Sequence, residues 1–331
     1  MKKNIIYLST LLLAICYPQD KISGYVIFDY ESIHGSDNFD INRAYFQYAE
    51  NISEELFFKI RFDVGRDDDG VNDILDDTKL SVYLKNVYVD WKCNLGGKFS
   101  IGLIGTNSYG IQETNWGYRF IGKSVLDQYK MTNTADFGFG YSHSFGDFNM
   151  NMQFVNGEGY KANFDSNNTN DDKPAAYLRL MYGEKKITKN DGFNVGLVYT
   201  STYNNTDDDY SNNLVGLFGG WAGYNCRLGI EMNTYEIDGN TETANALYFN
   251  YSINDKIDLF LRHDMNDQNI EDIWIDDNGI TDGLDMESRS MLGLVWNATK
   301  GLYLSPNVIV TDAGDRTDST NEYRLTCMFK Y

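Results

Sequence analysis

Residues 321–331 read NEYRLTCMFKY, and their order sets how the rest of the chain is read. Tyr323, Leu325, Cys327, Phe329 and Tyr331 share one parity; Arg324, Thr326, Met328 and Lys330 share the other. Successive side chains of a strand point to opposite faces, so this stretch has an apolar face and a more polar one. A helix would repeat its apolar residues with a period of about 3.6, whereas five residues here repeat with a period of two.

The same design recurs upstream. In residues 56–64, Leu56, Phe58, Ile60, Phe62 and Val64 alternate with Phe57, Lys59, Arg61 and Asp63. In residues 148–155, Phe148, Met150, Met152 and Phe154 alternate with Asn149, Asn151 and Gln153. In residues 21–31, Gly24, Val26, Phe28 and Tyr30 oppose Ser23, Tyr25, Ile27 and Asp29. Dividing the chain this way gives about sixteen strands, near 21–32, 39–49, 56–64, 80–92, 98–104, 135–143, 148–156, 175–182, 193–201, 213–222, 224–235, 244–253, 257–264, 289–296, 302–311 and 322–331.

One such segment could belong to a soluble sandwich. A long series of them, with short turns (145–147, 254–256, 297–301) opposing long loops (65–79, 105–134, 157–174, 265–288), predicts an all-β, antiparallel transmembrane barrel. Short turns and termini belong on the periplasmic side and long loops outside, with lipid as the partner of the outer wall. Trp91, Trp296 and Tyr331 are then expected in the periplasmic aromatic girdle. The last strand must close on the first, leaving no edge unpaired in lipid, so Tyr323, Leu325, Phe329 and Tyr331 are read as a terminal assembly strand.

The N-terminus fits export. Lys2 and Lys3 precede a short apolar run from Ile5 to Cys16, too short to span a bilayer as a helix, and polar Gln19 and Asp20 follow. Residues 1–16 are expected to be a signal peptide and 17–331 the barrel domain; acylation of Cys16 is the alternative, disfavoured by bulky Ile15. The chain has 25 Tyr, 19 Phe and only 3 Pro, a mixture that suits long strands. Cys93, Cys226 and Cys327 are far apart and odd in number, without metal-ligand spacing or a paired framework.

The formal net charge of −20 argues against a nucleic-acid partner, which requires clustered Lys and Arg. The acidic residues crowd into loops: Asp67 to Asp69 with Asp76 and Asp77, Asp207 to Asp209, Asp267 to Glu287, and Asp312 to Asp318. Carboxylate clusters can hold calcium, but Asp276 to Gly279 lacks EF-hand spacing, and a solvated acidic surface is the simpler reading. No metal or cofactor is expected.

The alternation assigns Arg43, Lys59, Arg61, Lys92, Arg179, Arg227, Arg262, Arg289 and Arg324 to the lumen, with the acids Asp29, Asp63, Asp90, Glu231, Asp258 and Asp264. Two readings stay open: a ladder that guides anions, or mutually paired charges that keep the interior hydrated. His34, His143 and His263 are the only histidines; no motif pairs any of them with Ser or Asp, so a passive channel for small solutes or ions is favoured over a barrel hydrolase or an adhesin.

Several stretches of the first half, in order, resemble the phosphate-selective porins of the outer membrane: 24–30 (GYVIFDY), 39–48 (FDINRAYFQY), 84–92 (LKNVYVDWK), 116–124 (WGYRFIGKS), 135–141 (ADFGFGY) and 155–160 (VNGEGY). The resemblance covers roughly residues 21–180 and implies a sixteen-stranded barrel, a homotrimer, and a third long loop folded inward. That loop is 105–134, and the resemblance implies that its Arg119 and Lys123 face the pore. The family's strongly basic channel has no matching lysine cluster here.

Overall fold

A strand in lipid must leave no backbone N–H or C=O unpaired, and the chain meets that condition by closing its sheet. The structure, a computed structural model, describes residues 21–33, 35–66, 80–94, 96–160, 174–188, 191–203, 212–237, 239–269, 285–312 and 319–331. The strands are β1 (Ile22–Ile33), β2 (Ser36–Asn51), β3 (Leu56–Arg66), β4 (Leu80–Lys92), β5 (Lys98–Gly105), β6 (Ala135–Phe145), β7 (Phe148–Val155), β8 (Ala175–Gly183), β9 (Gly192–Thr202), β10 (Asn212–Gly223), β11 (Cys226–Ile237), β12 (Asn240–Asn254), β13 (Ile257–Asn269), β14 (Asp285–Thr299), β15 (Leu302–Asp312) and β16 (Thr320–Lys330). Each pairs antiparallel with the next, and β16 pairs with β1 to complete a barrel of sixteen strands.

The closure is finished by the last residue. Tyr331 N–H donates to the Gly24 carbonyl at 3.1 Å, and Gly24 N–H donates back at 3.2 Å. A Cβ on Gly24 would stand 2.0 Å from the Tyr45 carbonyl oxygen and 2.5 Å from the Tyr331 hydroxyl, so only glycine fits this seam.

Alternation becomes two walls. Ile101, Phe137, Phe139, Leu217, Leu247 and Leu325 are exposed on the outside, while Asp29, Asp63, Asp90, Glu231 and Asp264 are buried inside. Trp91, Trp221, Trp296 and Tyr331 are exposed on the outer wall at the end that carries the short turns, and Trp91, Phe99, Tyr141, His143 and Phe145 form a continuous row of ring contacts there. Amphipathic rings prefer this boundary between hydrocarbon and water.

Several boundaries differ from the alternation. β13 and β14 extend to Asn269 and from Asp285, so their connection is 270–284 rather than 265–288; apart from Met265 and Met286 the added residues are polar, so the contrast between apolar and polar positions fades there. β2 and β12 begin earlier, leaving tight connections after Ile33 and Ile237 on the outer side too. Tyr224 and Asn225, read as strand, form the β10–β11 turn with φ of 52° and 62°. Both central residues of such a turn need positive φ, which Tyr does not advertise. Residues 1–16, His34 and most of the acidic stretches (67–69, 76–77, 207–209, 276–279, 315–318) lie outside the described residues.

Candidate functional site

The connection between β5 and β6 runs inside the barrel. It carries two short helices, α1 (Gly110–Trp116) and α2 (Val125–Gln128). Gly117 ends α1 at φ 81°, donating its N–H to the Glu113 carbonyl; a Cβ there would also meet Arg227 Nη2 at 2.3 Å. Ser124 caps α2 by accepting from the Asp127 N–H at 3.3 Å.

This segment is fastened to one side of the lumen. Trp116 is fully buried, its ring 5.6 Å from Tyr248, 5.7 Å from Phe260 and 5.5 Å from Tyr118. Its carbonyl accepts from Arg227 Nη2 and Asn250 Nδ2, each at 2.9 Å. The amides of Asn115 and Asn194 bond each other reciprocally at 2.7 and 2.8 Å. Val125, Leu126 and Met131 pack on Met181, Val198, Leu214, Phe218, Ala244 and Ala246.

What stays open lies on the opposite side. A cavity of about 200 Å³ separates the loop from the wall of β1–β4, lined by Tyr25, Tyr45, Lys59, Arg61, Lys85, Tyr88, Tyr109, Glu113, Arg119 and Asp127 among others. On the loop side, Arg119 donates to Glu113 at 2.5 Å and to Asp127 at 2.7 Å. On the wall, Asp63 lies 3.7 Å from both Arg43 and Lys85. The Tyr45 ring is flanked by Arg61 at 5.0 Å, Arg43 at 5.6 Å and Lys85 at 5.7 Å. Arg61 bonds only neutral Gln47, and Lys59 sits 5.9 Å from the Tyr88 ring; neither makes an ion pair with a described carboxylate.

The basic residues named from the sequence, by alternation or by the resemblance, therefore divide. Arg43, Lys59, Arg61 and Arg119 meet at this cavity or its wall. Arg227 and Arg262 are inside the barrel but covered by the loop: the Arg262 side chain is fully buried, bonded to Asp264 at 2.7 Å with its guanidinium 5.2 Å from the Trp116 ring. Arg289 donates to Gln128 of α2 at 3.2 Å, and Arg179 to the Asn107 carbonyl at 3.4 Å. Lys123 is half-buried off the cavity lining; burial pushes its ammonium pKa down against the pull of Asp127. Arg324 pairs with Glu31 and Glu322 on the closing strands, and Lys92 is exposed at the periplasmic end of β4.

Lys85 was invisible to strict alternation. A β-bulge pairs Arg61 with Asn86 and Phe62 with Leu84, which turns the intervening Lys85 inward. Glu113 and Asp127 lie on short loop helices with no strand period to reveal them. Of the histidines, His143 stacks with Tyr141 and Phe145 on the outer wall. His263 Nδ1 is 2.9 Å from Ser290 Oγ, but that pair also faces outward, among Leu247, Leu261 and Leu292.

No protein-family model matches the chain, and no curated protein matches it in sequence. Solved structures do match. OmpF of Salmonella typhi, in complex with daunomycin, superposes with a TM-score of 0.65 at 11% identity, covering 94% of this chain and 97% of that one. An anion-selective porin of Comamonas acidovorans gives 0.63 at 12% identity, covering 94% and 98%. OmpT of Vibrio cholerae, an outer-membrane protein folded in vitro in a trimer form, gives 0.63 at 13% identity over 94% and 98%. The fold is thus that of bacterial outer-membrane barrels, and it is porin-like.

Proposed function

We propose that this barrel is a passive channel of the outer membrane for small hydrophilic solutes and ions, narrowed by residues 106–134. The observation that carries the reading is the charged cavity left between a firmly anchored loop and the β1–β4 wall. Charges at a narrow aqueous point act on an ion at close range, so they weigh more than the same charges at a wide mouth. Most are paired locally: Arg119 with Glu113 and Asp127, and Arg43 and Lys85 with the single carboxylate of Asp63. Lys59 and Arg61 are not, which favours a weak anion preference.

A hydrolase would need a nucleophile and base facing water, whereas the His263–Ser290 contact faces the lipid side. The phosphate selectivity suggested by the sequence resemblance has less support than a general anion preference, since among the described residues only Lys59 and Arg61 of the cavity's cations make no ion pair. Assembly as a homotrimer is part of the proposal, and cross-linking in detergent to a species three times the monomer mass is its expected result.

Single-channel recording in a planar bilayer tests the function. Ohmic conductance with a small reversal potential of anionic sign in a salt gradient is expected. A protein that inserts without conducting sinks the channel in favour of the hydrolase or adhesin alternatives.

A further inference from the structure

We propose that the constriction recognises organic anions that carry a flat ring beside their charge, with Lys59 and Arg61 holding the charge and Tyr25 and Tyr88 holding the ring. The inference rests on the channel reading above and names the solute class that this channel retards and selects.

The charge half of the site is built on one strand. Lys59 and Arg61 stand two residues apart on β3 and so project to the same side. Arg61 is pre-oriented: Nε and Nη2 both donate to Gln47 Oε1, at 2.9 and 2.6 Å, and the Gln47 amide donates on to Ser23 Oγ at 2.9 Å. Its Nη1 makes no hydrogen bond with the described residues, and neither does the Lys59 ammonium. Gln47 holds the guanidinium without neutralising it, which leaves donors and charge for a ligand.

The ring half is supplied by tyrosines braced from behind. Tyr45 packs edge-on against Tyr25 at 4.8 Å, and Phe57 lies 6.3 Å from Tyr88. Tyr45 is itself nearly buried, whereas Tyr25 and Tyr88 are half-buried and line the cavity beside the two cations. Held rings present flat apolar faces at little cost in entropy, and aromatic faces stack on planar ligands with little regard to their substituents. The loop side carries Glu113 and Asp127 against a single Arg119, so it repels the charged end of a ligand and turns it toward β3. A small inorganic anion would meet the charge half only. A ring-bearing carboxylate meets both.

The test uses chloride current through single channels of the full chain at neutral pH. Chloride conductance comes first and stands alone: its absence refutes the channel, whatever the solute preference. Benzoate, acetate and cyclohexanecarboxylate are then added in turn. Benzoate is expected to block the current at about a tenth of the concentration acetate needs, the ratio one stacking contact supports. Cyclohexanecarboxylate, with the same charge but no flat face, should fall near acetate. Tyr88→Leu should bring benzoate to the level of acetate, and Lys59→Gln with Arg61→Gln should weaken the block by both. Equal block by benzoate and acetate overturns the proposal, as does cyclohexanecarboxylate acting like benzoate. Persistence of the benzoate preference in both Tyr88→Leu and Tyr25→Leu also overturns it. The wild-type comparison needs no variant, so a variant that fails to assemble does not rescue the idea.

Discussion

Arg119 shows how one residue bears on the charge of the proposed passage. It offsets one of the two charges of Glu113 and Asp127 on the loop, and Arg119→Gln would leave both carboxylates facing the cavity without a cation. A carboxylate a few ångströms from a passing ion in largely aqueous surroundings is worth about 1 kcal/mol, or roughly fivefold in permeability ratio. Arg119→Gln should therefore move the reversal potential toward cations, and Glu113→Gln with Asp127→Asn should move it toward anions. No shift in either variant would mean that ions pass elsewhere. Lys123, named beside Arg119 from the sequence, lies off the cavity lining and should contribute little. The limits of the sequence are plain at this scale. Lys59 and Arg61 followed from parity in an unbroken strand, whereas Lys85 needed knowledge of a bulge that no local residue type announces.

Among the elements, the inward loop and the closing strand make different demands. Truncating a buried Trp costs about 3–5 kcal/mol, so Trp116→Ala should release α1 from β12 and β13. The barrel ladder does not pass through Trp116. The expected outcome is a larger, noisier single-channel conductance with the unheated electrophoretic mobility of a folded barrel. Conductance equal to wild type would show that the loop is held without this anchor. On β16, Phe329 faces outward and pairs with Val26 and Leu302. A mid-bilayer Lys or Arg on a barrel costs about 2–4 kcal/mol and an Asp less, yet Phe329→Asp also damages the strand that completes closure. Loss of the heat-modifiable band from the membrane fraction is expected. Strands with clean alternation were legible to within a few residues, because period two is imposed by lipid outside and water inside. Toward Asn269 and Asp285 the residues of β13 and β14 are mostly polar, so the sequence contrast fades although burial still alternates through Asp267. The helices of the loop are too short to show a period of their own.

The molecule as a whole carries a formal charge of −20, yet the cavity beside the loop keeps Lys59 and Arg61, which make no ion pair among the described residues. Exposed charges are screened beyond about 10 Å at 0.1 M salt, and their reach grows to about 30 Å at 0.01 M. The proposed channel should prefer anions weakly in concentrated salt and drift toward cations as the salt is diluted, measured as reversal potential against mean ionic strength. A preference that does not change with salt would remove the outer acids from the account. The packing inside has a mechanical consequence as well. From β8 to β14 much of the wall is backed by apolar loop side chains, whereas β2 to β4 line the cavity and meet the loop through few polar contacts such as Lys85 to Thr134. In the proposed channel, a lateral squeeze from the surrounding bilayer is expected to flatten the less supported arc first.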